Sequence, residues 1–202
     1  RVDRRQRQMC IRDSGNAGNA SVAVARLGAN STIFSAVGCD EVGSFILGEL
    51  KRENVNTEFV LELENWQSSF SSVLVDIDGD RQIVNYRKSL PENAINSISN
   101  FPIYDAYLSD SRWSEAAIAT LSLARKYKKP GILDAEAPVS QHAVEIASHV
   151  AFSMQGLRHF TNKDDLMASL KVIENDFNSW ACVTDGPNGV YFLEEGVLHN
   201  LP

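Results

Sequence analysis

The spacing of apolar and polar residues predicts three elements in the early part of the chain. They are a small-residue helix at 17–28, a short apolar strand at 31–38 and an amphipathic helix at 44–54. Gly28 is a typical stop signal for the first helix. The apolar run at 31–38 is short enough to suit a buried strand, and the helix at 44–54 gathers its apolar residues near one face.

The clearest local pattern lies at residues 70–87. Two runs rich in β-forming residues flank Asp78 and Gly79, and an Asp-Gly pair supplies the positive φ angles of a tight hairpin turn. This hairpin interrupts the alternation of helices and strands. We therefore expect it to project as a separate flap or lid over about residues 67–90.

Strands and helices alternate after residue 100. The predicted elements are strands at 105–110, 131–136, 150–153 and 180–186, helices at 114–129, 139–149 and 162–177, and a last strand-like run at 189–202. Thr161 or Asn162 is the predicted cap of the helix at 162–177. This order indicates parallel βαβ units, and so an α/β sheet with helices on its faces.

Composition narrows the class of protein. The chain has 202 residues, of which 44% are hydrophobic and 22% charged, and this excludes a disordered chain, a collagen-like fibre and a coiled coil. No stretch approaches the roughly 18 apolar residues that cross a bilayer. The net charge of −7 argues against a nucleic-acid partner. Cys10, Cys39 and Cys182 form neither a metal-binding pattern nor a disulfide framework, and this favours a reducing, cytoplasmic location. We interpret Cys39 and Cys182 as buried packing residues.

Both ends of the chain differ from the rest. Residues 1–14 carry five arginines and two aspartates, and we interpret them as a disordered or non-native leader rather than a nucleic-acid-binding arm. Coherent sequence begins at Gly15, and the last strand-like run stops at Pro202 with no further element to pack behind it. We therefore expect a fragment that is truncated at both ends.

Candidate chemistry follows from the predicted sheet, because open parallel sheets bind ligands beyond the carboxyl ends of their strands. The loops concerned are 15–19, 109–113, 134–138, 153–156 and 184–189. The glycines of 15–19 (GNAGN) allow close approach of a polar ligand, although a plain helix cap is the alternative. Asp134 and Glu136 could reach a polar ligand or a metal-bound water, but strand-end carboxylates more often cap the next helix. The four histidines share no metal-ligand spacing.

Gly15, Asn19, Ser21, Gly28 and Gly38 together resemble the N-terminal signature of the ribokinase-type (PfkB) sugar kinases. The segment at 36–60 is similar to the family's continuation, a Gly-Asp turn followed by a helix and a strand leading to the lid. The resemblance covers residues 15–202. It implies a ribokinase-like three-layer α/β/α sandwich with a small β-sheet lid, of which this chain would be a part.

The resemblance also implies roles for single residues. Gly15 would form the backbone bend beside the substrate, and Asn19 would hydrogen-bond a sugar hydroxyl. The hairpin would be part of the lid that excludes water. Thr184 and Gly186 match a Thr-x-Gly that borders the nucleotide, and Ser153 stands in the same nucleotide-binding region. Ser153 and Gly156 replace the family's Asn-x-x-Glu near the metal and phosphates, so the carboxylate is missing there.

Two shorter segments resemble the sulfofructose kinase branch of the family. They are Ser109–Trp113 and Ile83–Tyr86, in which Arg112 and Asn85 would grip the anionic sulfonate. Arg offers a fixed fork of donors to a tetrahedral anion, and Asn adds a neutral donor. A solvated arginine at a helix start is the alternative for Arg112. Since Asn19 follows the general family rather than this branch, neutral and phosphorylated sugars stay open.

The implied function is a carbohydrate kinase that transfers the γ-phosphoryl group of ATP to a sugar hydroxyl, with Mg²⁺. The family's Asp-Thr-x-Gly-Ala-Gly-Asp motif, which supplies the catalytic base, would follow Pro202. We therefore assign no catalytic residue and no metal ligand, and expect this chain to be inactive as it stands. The expected partners are a sugar and ATP, with neither nucleic acid nor membrane, and a homodimer through the lid stays open. The alternatives are a non-catalytic sugar- or nucleotide-binding regulator, a nucleoside kinase of the same family and, outside it, a Rossmann dehydrogenase.

Overall fold

The computed structural model describes residues 16–75, 81–90, 94–96, 98, 101–177 and 179–202. The chain divides into two compact units, Arg1–Ser97 and Ile98–Pro202. Each unit buries a hydrophobic core of its own. None of the helices in the described residues is both long enough and apolar enough to cross a membrane.

The described part of the first unit contains a helix followed by a βαβ unit. Its elements are α1 (Asn16–Arg26), β1 (Ser31–Gly38), α2 (Glu41–Arg52) and β2 (Val55–Leu63). The strands β1 and β2 pair in parallel, and Val22, Ile33, Leu50 and Val55 form the core between these elements. The helix α2 begins three residues before the predicted position, because Asp40 caps it by accepting a hydrogen bond from the N–H of Gly43.

The predicted hairpin is confirmed as a separate two-stranded sheet. Its strands β3 (Phe70–Val75) and β4 (Arg81–Tyr86) pair antiparallel. The rings of Phe70 and Tyr86 lie opposite each other and stack with their centroids 5.5 Å apart. The predicted turn at Asp78 and Gly79 lies outside the described residues.

The second unit contains a six-stranded sheet in the order β10-β9-β8-β7-β6-β5. Its elements are β5 (Tyr107–Asp110), α3 (Ser114–Tyr127), β6 (Gly131–Ala135), α4 (Gln141–Ile146), β7 (His149–Ser153), α5 (Met154–Thr161), α6 (Leu166–Phe177), β8 (Trp180–Thr184), β9 (Val190–Glu194) and β10 (Val197–Leu201). The four strands β5 to β8 run parallel, as the alternating pattern predicted, whereas β9 and β10 each run antiparallel to their preceding neighbour. The α/β fold class is confirmed.

The core of the second unit lies on the central strands. Leu133, Val150, Phe152 and Val183 are completely buried. Helix residues such as Leu121, Val144, Leu157, Leu170 and Ile173 pack against them. Strands that are mostly apolar, such as these, are typical of a parallel sheet inside an α/β fold.

The sequence analysis missed one helix and placed the start of the next helix four residues too early. The helix α5 directly follows β7, and Asn162 ends it in the left-handed conformation, with φ 51°. Asn162 therefore does not cap the next helix, and the predicted cap was wrong. The helix α6 begins at Leu166, where Asp165 Oδ1 accepts a hydrogen bond of 2.6 Å from the N–H of Ala168.

The last run was predicted as one strand and forms two. The strands β9 and β10 make an antiparallel hairpin whose turn contains Glu195 and Gly196, both with positive φ. Positive φ at both central residues is the requirement of a type I′ two-residue hairpin turn. The Glu-Gly pair is a weaker sequence signal for such a turn than Asn-Gly or Asp-Gly.

Candidate functional site

Asn19 lies in the first turn of α1, where the sequence predicted a contact with substrate. Its side-chain oxygen Oδ1 is buried and has no hydrogen-bond partner among the described residues. Burying such an oxygen without a donor costs about 1–3 kcal/mol. Gly15, the other predicted residue of this loop, lies outside the described residues. The Asn19 oxygen is therefore an acceptor without a donor in the described part of the chain.

Asn85 lies on β4 of the hairpin, opposite Ser71 on β3. Ser71 Oγ donates a hydrogen bond of 2.5 Å to Asn85 Oδ1, and both side chains are exposed. Because the oxygen of the amide is engaged across the hairpin, the Nδ2 group is the part of Asn85 that can donate to a ligand.

Arg112, Ser153, Thr184 and Gly186 all lie at or just beyond the carboxyl ends of parallel strands. Ser153 and Thr184 are register partners at the ends of β7 and β8. Arg112 follows β5, which β6 separates from β7. The four residues therefore share one edge of the sheet, as expected for consecutive parallel strands.

The Arg112 guanidinium forms an ion pair with the carboxylate of Glu136, which follows β6. Ser111 ties the two loops together, because its Oγ donates to the carbonyl of Glu136 at 2.6 Å and accepts from the N–H of Glu136 at 3.1 Å. The backbone N–H of Arg112 donates to Asp110 Oδ1 at 2.9 Å. The interpretation of Glu136 as a helix cap was wrong, since Ser140 caps α4.

Ser153 caps α5 by accepting a hydrogen bond of 3.0 Å from the N–H of Gly156. Gly156 is packed so closely that a Cβ atom there would collide with the carbonyl oxygen of Ala135. A glutamate therefore has no room at this position with the helix where it stands. The close packing of α5 against β6 therefore excludes the carboxylate that the family resemblance led us to expect here.

Thr184 and Gly186 lie at and just beyond the carboxyl end of β8, and both are exposed. Thr184 Oγ1 donates to the carbonyl of Phe152 at 3.4 Å. Gly186 begins a short 3₁₀ turn, has φ 50° and has no atom within 4 Å of the position where a Cβ would lie. A ligand can therefore approach the backbone of Gly186 closely.

A cluster around Asp40 was missed by the sequence analysis. Asp40 Oδ1 accepts hydrogen bonds of 2.7 Å from both the N–H of Gly43 and the hydroxyl of Ser68, and Oδ2 accepts one of 2.8 Å from the N–H of Ser68. The N–H groups of Ser68 and then Gly43, with the Ser68 hydroxyl, hold the pKa of Asp40 below its usual range. Asp40 followed three residues later by Gly43 signals a helix cap, but Ser68 is too distant in sequence to be found that way.

The cysteines and histidines form no metal site in the described part of the chain, where no three His, Cys, Asp or Glu side chains are grouped closely enough to hold an ion. Cys39 is exposed, so its interpretation as a buried packing residue was wrong. Cys182 is half-buried, and its burial raises the pKa of the thiol. His149 and His199 contact the rings of Trp180 and Phe192, in line with packing roles.

Comparison with known proteins gives consistent matches. The model of the pfkB family carbohydrate kinases matches residues 2–202. A fructokinase of Vibrio alginolyticus is 26% identical over 203 residues, covering 90% of this chain and 66% of that protein. The crystal structure of a candidate ribokinase from Agrobacterium tumefaciens superposes with a TM-score of 0.80 at 28% identity, over 94% of this chain and 65% of that one. A Vibrio cholerae fructokinase with bound fructose, ADP and calcium ion has the same fold, with a TM-score of 0.72 at 21% identity, over 93% of this chain and 68% of that one. The chain thus spans about two thirds of the length of these proteins.

Proposed function

The chain belongs to the pfkB family of carbohydrate kinases, and we propose that the protein transfers the γ-phosphoryl group of ATP to a hydroxyl group of a sugar. The fructokinase relative and the fructokinase solved with fructose and ADP support this reaction class. A cytoplasmic location stays a prediction from the cysteine content.

The buried, unpartnered oxygen of Asn19 is the observation that carries the proposal. A sugar hydroxyl donates the hydrogen bond that this oxygen lacks, so binding removes the cost of leaving it unpaired. A ligand without donors would gain nothing there. Asn19 lies in the first turn of α1, and the family signature assigns the sugar contact to this residue.

The hairpin is the part that would cover the sugar. In the β3–β4 register, one face carries Phe70, Leu74, Val84 and Tyr86, and the other carries Val73, Val75 and Ile83. Most of these side chains are exposed, although a two-stranded sheet alone is marginally stable. We propose that one face closes over the sugar and excludes water, and that the other packs against a second copy of the protein. Size-exclusion chromatography with light scattering tests the dimer, and a monomer would contradict it.

The nucleotide would lie at the open end of the sheet edge. The exposed backbone of Gly186 permits the close approach that a nucleotide needs, and Thr184 stands beside it. Ser153 accepts a hydrogen bond from Gly156 and keeps its own hydroxyl proton to donate to a phosphate oxygen. ATP supplies the phosphoryl group, and these residues would hold and orient it.

Mg²⁺ is expected from the family resemblance, and in nucleotide sites it is held by one or two carboxylates together with the phosphates. Gly156 leaves no room for such a carboxylate at that position. This observation favours one rival function, a regulator that binds a sugar or a nucleotide without catalysis. Sugar binding without any phosphorylation by the whole protein would establish the rival.

We further propose that the sugar carries an anionic group, with sulfofructose as one candidate. Arg112 already holds a carboxylate, that of Glu136, so its guanidinium is oriented for an anion. A sulfonate or phosphate on the substrate would compete with Glu136 for the same donors. Glu136→Gln should therefore strengthen binding of the anionic sugar, and Arg112→Ala should weaken it by about tenfold or more.

The binding test is a thermal-shift screen with neutral sugars, sugar phosphates and sulfosugars, with and without an ATP analogue. A raised melting temperature is expected with the cognate sugar, and Asn19→Ala should abolish the shift. Asn56→Ala, an exposed asparagine on β2 of the same unit, is the matched control and should keep it. An unchanged shift in the Asn19 variant would contradict the assignment. Loss of neutral and anionic sugars alike in Arg112→Ala would contradict the anion preference.

A further inference from the structure

The base of the hairpin is tied to the end of β1 through one carboxylate. Asp40, between β1 and α2, accepts both polar hydrogens of Ser68, the backbone N–H at 2.8 Å and the hydroxyl at 2.7 Å. Ser68 Oγ in turn accepts a hydrogen bond of 2.8 Å from the N–H of Gly38, the last residue of β1. Ser68 is only 1% exposed, whereas Phe70, two residues on, is 44% exposed. The chain therefore passes from a buried, hydrogen-bonded residue to an exposed one within two positions.

Two glycines bring the backbones close enough for this arrangement. A Cβ at Gly38 would collide with the carbonyl oxygen of Trp66, and a Cβ at Gly43 would collide with the carbonyl oxygen of Gly38. Three stretches of backbone thus meet at Asp40: the end of β1, the first turn of α2 and the segment that enters β3. Larger residues at either glycine would separate them.

The second leg of the hairpin is tied to the first. Trp66 Nε1 donates a hydrogen bond of 3.2 Å to the carbonyl of Ser89, which lies just beyond β4. Fixing the segment of Trp66 and Ser68 therefore fixes where both legs leave the body of the unit. Asp40 is the charged group on which this arrangement converges.

We propose that Asp40 is a positioning residue that clamps the base of the hairpin, so that the hairpin moves as a flap beyond Ser68 while its root stays fixed. The flap's role as a sugar cover rests on the proposed function, but the clamp itself does not. Asp40 acts through Ser68 and is not expected to touch substrate.

Asp40→Asn separates the clamp from the helix cap. Asparagine caps helices about as well as aspartate, so the bond from Gly43 to the side-chain oxygen can persist. The amide Nδ2 cannot accept a hydrogen bond, so the N–H of Ser68 loses its partner. Asp165→Asn is the matched control, because Asp165 also caps a helix, α6, through the N–H of Ala168.

Hydrogen exchange measured by mass spectrometry tests the clamp without any need for activity. In Asp40→Asn, peptides covering Ser68 and the strands β3 and β4 should exchange about tenfold faster or more, since a hydrogen bond to a charged group is lost. Peptides of α2 and β1 should change less than twofold. Asp165→Asn should leave the hairpin unchanged. Unchanged exchange in the hairpin, or equal acceleration throughout the first unit, would overturn the proposal.

Kinetics of the whole protein test the positioning role. Asp40→Asn should raise the KM for the sugar by about tenfold, because a hairpin whose base is no longer fixed holds the sugar less well. The KM for ATP should stay unchanged. Ser68→Ala should reproduce this split, because it removes the hydroxyl side of the clamp. An equal effect on both substrates, or none, would overturn the positioning role. Absence of all kinase activity would count against the proposed function, and the exchange experiment would still decide the clamp.

Discussion

Gly156 is packed so tightly that a Cβ atom there would collide with the carbonyl oxygen of Ala135, so α5 can lie this close to β6 only with glycine at this position. The residue follows the N-cap Ser153 by three positions, where relatives of this type were expected to carry a glutamate. The sequence predicted that the carboxylate is missing. It could not predict the reason, because the contact joins residues from two different elements.

Gly156→Ala should destabilise the protein by about 1–3 kcal/mol, since a methyl group must be forced into a filled space. Urea denaturation measures the change in the free energy of unfolding. Gly48→Ala is the matched control: Gly48 is a helical glycine of α2 with open space around it, and its replacement should stabilise by about 0.5–1 kcal/mol. Equal effects of the two substitutions would contradict the packing argument.

The two described cysteines should differ in reactivity. Cys39 is exposed, whereas Cys182 is half-buried and burial raises the pKa of its thiol, so less of it is thiolate at neutral pH. Iodoacetamide at pH 7.5 should therefore label Cys39 first, with the sites identified by peptide mass spectrometry. Labelling of Cys182 at the same rate would show that its surroundings are more open than the structure has them.

Elements defined by local sequence were predictable, and elements defined by distant contacts were not. The strand at Ser31–Gly38 and the two hairpin strands follow directly from their apolar runs. The helix α5 was missed because it follows β7 without a break and carries few apolar residues. The Asp40–Ser68 contact spans 28 positions, a separation at which a single sequence shows no signal.

The stability contributed by Asp40 should depend on pH. Its pKa is lowered in the folded protein by hydrogen bonds from Ser68 and Gly43, relative to an ordinary value of 3.8. The ionised carboxylate therefore stabilises the fold at pH values above about 4, and this contribution is lost as the pH falls through the lower, folded pKa.

The difference in the free energy of unfolding between the wild type and Asp40→Asn reports this contribution. It should be constant between about pH 5 and 7 and should shrink as the pH falls below about 4. Urea denaturation at each pH measures it, with Asp165→Asn as the control for a helix-capping aspartate. A difference that stays constant down to pH 2.5 would show that Asp40 titrates normally or that the clamp does not form.

At the scale of the whole molecule, the alternating pattern was enough to predict the α/β fold class and the shared edge at which the candidate residues of the second unit lie. Four parallel strands bring Arg112, Ser153, Thr184 and Gly186 to that edge because every β-strand in a βαβ series points the same way. The pairing of Arg112 with Glu136 was not predictable, because it depends on which loops meet across β5 and β6. Of the residues proposed for the sugar, Asn19 and Asn85 belong to the first unit and Arg112 to the second, which also holds Ser153, Thr184 and Gly186.

Phosphoryl transfer by the whole protein tests the central claim most directly. Incubation with ATP and a panel of neutral, phosphorylated and sulfonated sugars, followed by mass spectrometry, should yield one sugar product heavier by a phosphoryl group. Asn19→Ala should reduce kcat/KM for that sugar by about 10²-fold or more, because the sugar loses the hydrogen bond that aligns it. Asn56→Ala should not. A protein that binds neither sugar nor ATP, or that phosphorylates a sugar equally well without Asn19, would contradict the account.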